Sequence, residues 1–310
     1  GSNVHSLLAG EGLAAFPFRH VDERRILDIA AQTERVDSRV RGIGVARERA
    51  RLVFQEWLVG TIPGQVRDLD EVVRAWHPHV LATDPVFWGP ALVLWERSRL
   101  PVAVASFLVG CPTDGPDAPP WGLGLRPPRT LGGRLRCRFV AAATRRLSRN
   151  MRRQISEVRA QYGLPPLDCS VNTFLGRLPL FVIPSVAALD YNRQDLPASV
   201  RYVGSCIWNK PSGEPAPCWL AELPADRPVV HVTEGTAHFQ DPFVLRAAAQ
   251  GLADQPMEVV LTTGRQRDPD SLALGPVASN VRVEQWVSHA DLLPRCSAVV
   301  TTGGAGTVLA

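Results

Sequence analysis

Two short runs of threonine and glycine have the pattern with the plainest chemical use. Thr301-Thr302-Gly303-Gly304-Ala305-Gly306-Thr307 follows the apolar run Ala298-Val299-Val300, and Thr233-Glu234-Gly235-Thr236 follows Val229-Val230-His231-Val232. Glycines at such places let backbone amides approach an anion closely, hydroxyls add donors, and a helix beginning there adds partial positive charge. Phosphate is the ligand this chemistry suits. Thr233 to Thr236 taken alone serves equally well as a tight strand-to-helix turn. Gly303 to Gly306 has the texture of a dinucleotide turn, but the spacing is not G-x-G-x-x-G and the run falls late in its half of the chain.

A second set of residues lies in the other half. Asp84, in His77-Pro78-His79-Val80-Leu81-Ala82-Thr83-Asp84-Pro85, falls at the carboxyl end of an apolar run. A carboxylate there can orient an imidazole base and stabilise its cation. It can equally cap a helix over Phe87 to Glu96, a common use of Asp-Pro. Phe87, Trp88, Phe107 and Trp121 could line an apolar pocket, although large aromatics more often fill a core.

The elements that must position these residues follow from apolar periodicity. Runs 80–83, 102–105, 180–183, 229–232, 259–262 and 298–301 read as buried parallel strands, and helical spacing covers 69–76, 139–161 and 243–252. Strand and helix alternate at the cadence of βαβ units, which predicts an α/β fold with parallel sheets. The turn-rich stretch Trp208 to Pro217 holds no regular pattern. It divides the chain into residues 1–207 and 218–310, two α/β halves joined by a linker.

Composition narrows the class. With 310 residues, 45% of them apolar, the chain can bury two cores. The most apolar stretch, Ala91 to Gly110, is interrupted by Glu96, Arg97 and Arg99, so no membrane-spanning helix is expected. Six scattered cysteines form no CxxC pair and have no histidine at ligand spacing, which argues against a metal site and for a reducing, cytoplasmic setting. The net charge of +4 is carried almost wholly by arginine. Between Asp117 and Glu157 there is no acidic residue, while arginines accumulate over 126–153. An anionic membrane surface would suit that segment, as would a plain solvated helix face. No nucleic acid is expected, because aromatic residues for base stacking are not interleaved.

The run Val283-Glu284-Gln285-Trp286-Val287-Ser288-His289-Ala290-Asp291-Leu292-Leu293-Pro294, followed by Val300 to Thr307, resembles the donor-site signature of GT-B glycosyltransferases of the UDP-glycosyltransferase superfamily. The likeness is nearest to the bacterial antibiotic and natural-product branch. It extends through Val232 to Thr236, Leu245 to Leu252, Val259 to Gly264 and Arg201 to Ser205, and so covers Val200 to Ala310 well and the first half loosely.

The resemblance implies two Rossmann-like domains with parallel sheets facing across a cleft. It implies an inverting, metal-independent enzyme that moves a sugar from a UDP- or dTDP-sugar to a hydroxyl of a small, largely apolar acceptor. The nucleotide sugar is then a co-substrate, and no other cofactor is implied. Trp286 would stack on the nucleobase and the Val287 backbone would bond its edge. Thr233, Gly235, Thr236 and the amides from Gly303 to Thr307, among them Gly304, Gly306 and Thr307, would face the diphosphate. His289 would stand at the start of the signature. Thr302 stands where many members have a histidine, which keeps a donor but loses a cation. Asp84 would orient a histidine base that belongs to an earlier βα unit, so one such unit is expected upstream of Gly1 and further residues beyond Ala310. Two alternatives stand beside this reading: a nucleotide-binding scaffold without turnover, and a nicotinamide-dependent oxidoreductase.

Overall fold

The computed structural model describes residues 8–35, 48–206, 216–235, 241–265 and 267–310. The chain forms two compact units, Gly1–Gly204 and Ser205–Ala310. Of the expected linker, residues 208–215 lie outside the described residues.

In the first unit, β1 (Leu81–Thr83), β2 (Val102–Ala105), β3 (Leu180–Ile183) and β4 (Val200–Tyr202) make a parallel sheet in that order. The β-branched and aromatic runs favour this geometry, and alternation sends Val102, Val104, Phe181 and Ile183 into one core. Helices α1 (Glu23–Arg35) and α2 (Ile62–Trp76) precede the sheet. Pro63 sits in the first turn of α2, where its missing N–H costs nothing, and Ile62 and Val66 join the core.

The helix expected over 139–161 is two helices, α3 (Leu131–Leu147) and α4 (Arg149–Gln161). The Thr130 hydroxyl accepts from the Gly133 amide at 3.0 Å and so starts α3 earlier than the apolar spacing indicated. Ser148 ends it: its own hydroxyl donates to the Arg145 carbonyl at 3.3 Å, in competition with the backbone ladder. Cys137 marks the packed face of α3, while Leu131 (79% exposed), Leu135 (65%) and Phe139 (76%) point outward.

In the second unit the parallel sheet runs β7-β6-β5-β8, with β5 (Val229–Thr233), β6 (Glu258–Thr262), β7 (Val281–Glu284) and β8 (Ala298–Thr301). Successive side chains of β5 serve opposite faces. Val230 and Val232 pack with Leu245 and Ala249 of α5 (Phe243–Gly251), and Val229 packs with Val287 and Leu292. Double-sided burial is why β5 and β6 read as continuous apolar runs.

Strand β8 departs from expectation. It was expected to be buried, yet Val299 and Val300 are 40% and 42% exposed. Among the described residues it pairs only with β5, and the short helix α7 (Ala305–Val308) follows it. Two further strands, β4 and β7, escape the apolar pattern for a related reason. Val200-Arg201-Tyr202 and Val281-Arg282-Val283-Glu284 are also edges among the described residues, each with an exposed arginine. Among the described residues no helix is long and apolar enough to cross a membrane, and all six cysteines are free.

Candidate functional site

Three neighbouring strands of the second unit end in the same tripeptide pattern. Thr262-Thr263-Gly264 closes β6, Thr233-Glu234-Gly235 closes β5 and Thr301-Thr302-Gly303 closes β8. The threonines are register partners, Thr233 with Thr262 on one side and with Thr301 on the other. The glycines have φ of 85°, 74° and 79°, a region open to glycine and strained for other residues. In two of the turns the strand-end hydroxyl accepts from the glycine amide, Gly235 to Thr233 at 3.2 Å and Gly303 to Thr301 at 3.3 Å. The middle residues are joined as well: the Thr302 hydroxyl donates to the Glu234 carbonyl at 3.2 Å.

This arrangement leaves donors and space at the carboxyl end of the sheet, where ligands of open α/β sheets bind. The amides of Gly304, Ala305 and Gly306 take part in no hydrogen bond among the described residues. A Cβ added at Gly235, Gly303, Gly304 or Gly306 would meet nothing within 4 Å. Among the described residues, these loop amides are the donors open to an anion at this sheet end. The Thr307 amide is already bound to the Gly304 carbonyl at 3.0 Å. Thr236 lies outside the described residues.

Trp286 follows β7 on the same end of the sheet. Its indole is 37% exposed, and the Arg265 guanidinium lies 3.7 Å from the ring centroid. The Gln285 amide donates to the Arg265 carbonyl at 3.2 Å, tying the loop after β6 to the end of β7. Val287 is buried in the lower core. His289 opens the short helix α6 (His289–Leu292), half-buried, with its ring 5.5 Å from that of His231. His231 is fully buried and pairs through Nε2 with the Thr262 hydroxyl at 3.0 Å. Burial, and then the neighbouring His289, push its pKa down to about 4, and burial lowers that of His289. Both rings are neutral at pH 7.

Glu234 would repel a diphosphate if its charge stood alone. It does not: the carboxylate, 4% exposed, accepts from the Val244 amide at 2.9 Å and pairs with Arg267 at 3.1 Å. The loop after β6 thus neutralises the acid in the loop after β5.

In the first unit, Asp84 Oδ1 accepts from the amides of Val86 and Phe87 at 2.7 and 2.8 Å. The capping role is therefore present, although it closes a turn; the next helical residues begin at Trp88. Phe87 is half-buried with its ring 5.6 Å from that of Phe18, and Phe107 and Trp121 are exposed. Trp88 is corrected to a core residue: it is 5% exposed and its indole N–H donates to the Pro85 carbonyl at 3.0 Å.

Comparison with known proteins completes the picture. No protein-family model matches the chain. It is 35% identical over 257 residues to the 4'-demethylrebeccamycin synthase of Lentzea aerocolonigenes, a match covering 82% of this chain and 59% of that relative. Among solved structures, the glycosyltransferase SnogD from Streptomyces nogalater aligns with a TM-score of 0.58 at 20% identity, over 98% of this chain and 68% of that one. A glycosyltransferase of Streptomyces sp. SF2575, solved with thymidine diphosphate, aligns with a TM-score of 0.59 at 16% identity, over 100% of this chain and 68% of that one.

The chain has the fold of the GT-B glycosyltransferases. It spans about three-fifths of the curated relative it matches, 59% of that protein's length.

The residues expected from sequence to face a donor gather at one sheet end: Thr233, Gly235, Thr302, Gly303, Gly304 and Gly306 on adjoining loops, with Trp286 and His289 after β7. Two residues at that end were missed from sequence, Arg265 and Arg267. The signal available was the third Thr-x-Gly, at Thr262 to Gly264, whose loop carries both arginines.

Proposed function

We propose that this GT-B chain acts as an inverting glycosyltransferase that takes a UDP- or dTDP-sugar in its second unit and transfers the sugar to a hydroxyl of a small, largely apolar acceptor. One observation carries the proposal: beside the paired Thr-x-Gly turns of β5 and β8, the amides of Gly304 to Gly306 are unbound among the described residues and adjoin open space, with Trp286 on the same sheet end. The thymidine diphosphate held by the Streptomyces sp. SF2575 structure supports this class of donor.

The acceptor oxygen attacks the anomeric carbon as the bond from that carbon to the diphosphate oxygen breaks, and a base takes the acceptor proton. Asp84 would orient that base through the carboxylate oxygen that does not hold the Val86 and Phe87 amides. The amides of Gly304 to Gly306 stabilise the negative charge of the leaving diphosphate, which lets the step run without a metal ion. Phe87, Phe107 and Trp121 are the apolar surface offered to the acceptor.

Incubation with UDP- and dTDP-sugars and a panel of hydroxylated aromatic acceptors, read by mass spectrometry and by the anomeric configuration of the product, tests this. An inverted glycoside is expected. A retained configuration contradicts the mechanism. Nucleotide binding with no product from any donor favours the alternative scaffold without turnover, for which the engaged Thr302 hydroxyl speaks. Stabilisation by NAD and by no nucleotide sugar would favour the oxidoreductase.

A second reading concerns partners. Helix α3 turns Leu131, Leu135 and Phe139, spaced four residues apart, away from its packed face, with arginines on both sides and no acid between Asp117 and Glu157. That pattern supports peripheral contact with an anionic membrane surface.

A further inference from the structure

We propose that Arg265 is a positioning residue of the nucleobase site, which backs one face of the Trp286 indole and leaves the opposite face for the base. The inference rests on the donor-site reading above and names a residue which that reading does not contain.

The geometry is that of a stacked cation. The guanidinium carbon lies 3.7 Å from the Trp286 ring centroid, close enough for the two planar groups to be in contact. A base cannot occupy that face while Arg265 holds it. Trp286 remains 37% exposed and belongs to neither apolar core of its unit, so the arginine does not take up all of its surface.

Trp286 on its own would be a poor platform. It follows the last residue of edge strand β7, and Gln285 and Trp286 are both exposed. An indole free to change rotamer must be ordered when a base stacks on it, and that cost subtracts from affinity. Arg265 removes much of the freedom beforehand. Its own place is fixed from two sides: the preceding Gly264 holds a φ of 85°, and its carbonyl accepts from the Gln285 side chain at 3.2 Å. The loop after β6 thereby sets the plane on which the base is received, and no contact between Arg265 and the nucleotide is needed.

Binding of UDP and thymidine diphosphate to the chain, measured by titration calorimetry, tests the proposal. The proteins compared are the wild type, Arg265→Ala, Arg265→Lys, Trp286→Ala and the Arg265→Ala/Trp286→Ala double variant. Arg265 is exposed, so these changes leave the fold intact. Ordering one such side chain corresponds to roughly a 3- to 10-fold change in affinity, which is the loss expected for Arg265→Ala. The lysine variant, which keeps the cation without the planar group, is expected between the two. In the Trp286→Ala background the same arginine change is expected to cost less than about two-fold, because nothing remains to be positioned.

Unchanged affinity in Arg265→Ala overturns the proposal. So does an undiminished loss in the Trp286→Ala background, which would make Arg265 a direct contact to the diphosphate. If the wild type binds neither nucleotide, the donor-site reading itself fails and takes this inference with it.

Discussion

Thr233 and Thr301 stand opposite each other in the register of β5 and β8, and each accepts, through its hydroxyl, the amide of the glycine two residues on. The two turns are copies of one device. A third copy is begun by Thr262, but there the hydroxyl is taken by His231. The candidate site is thus a property of the sheet end and not of a single loop.

The glycines of these turns divide into two kinds, and substitution should separate them. Gly235 and Gly303 have positive φ, so Gly235→Ala or Gly303→Ala should cost about 1–2 kcal/mol of stability in urea titrations. Gly304 has φ of −60° and Gly306 is not in the positive region, and a Cβ at either would meet nothing within 4 Å. Gly304→Ala and Gly306→Ala should therefore leave stability unchanged while weakening UDP binding about tenfold or more, since the methyl fills the space a diphosphate needs. Unaltered UDP affinity in both would count against that space being the phosphate site.

Arg267 compensates the carboxylate of Glu234, which is 4% exposed. Arg267→Ala should lower stability by about 3 kcal/mol, as removal of one partner of a buried pair does. Combining it with Glu234→Gln should recover part of the loss, because the uncompensated charge is then gone. Equal denaturation midpoints for the single and double variants would contradict the pairing argument.

Much of the second unit was legible because β5 and β6 are buried on both faces. Val229 to Val232, Val259 to Leu261 and Ala298 to Thr301 stand out as apolar runs followed by threonine and glycine. What escaped was at the edges. β4 and β7 each carry an exposed arginine, and β8, expected to be buried, is exposed and pairs among the described residues only with β5. The roles of Arg265 and Arg267 were invisible for another reason: an arginine in a loop shows nothing of its partner until the fold brings Trp286 or Glu234 beside it. Trp88 misled in the opposite sense, since an aromatic next to Asp84 has the composition of a pocket and the burial of a core.

His231 ties stability to pH. Its folded pKa, about 4, is below the unfolded value of about 6.5, so the folded state holds fewer protons in that window. Stability is complete above about pH 6.5 and falls as the pH drops from there toward 4, by about 3 kcal/mol in all from this residue. His289 is shifted in the same direction and adds to the slope. Denaturant midpoints at pH 7.5 and 5 should show the loss, and His231→Asn should reduce it. A pH-independent midpoint in the wild type would contradict the burial argument.

For α3, co-sedimentation with vesicles is the direct check. Binding to vesicles containing phosphatidylglycerol and not to phosphatidylcholine alone is expected, falling with added salt. Leu135→Glu together with Phe139→Glu, both on the exposed face, should abolish it without altering nucleotide binding. Equal sedimentation of the double variant would remove the membrane reading.

The central claim is that Trp286 and the two Thr-x-Gly turns form one nucleotide site, and UDP titration of the wild type against Trp286→Ala tests it most directly. Stacking of a base on an aromatic ring is worth about 1–3 kcal/mol, so the variant should bind UDP roughly 5- to 150-fold more weakly than a wild type that binds measurably. Equal affinities, or no UDP binding by the wild type, would contradict the account.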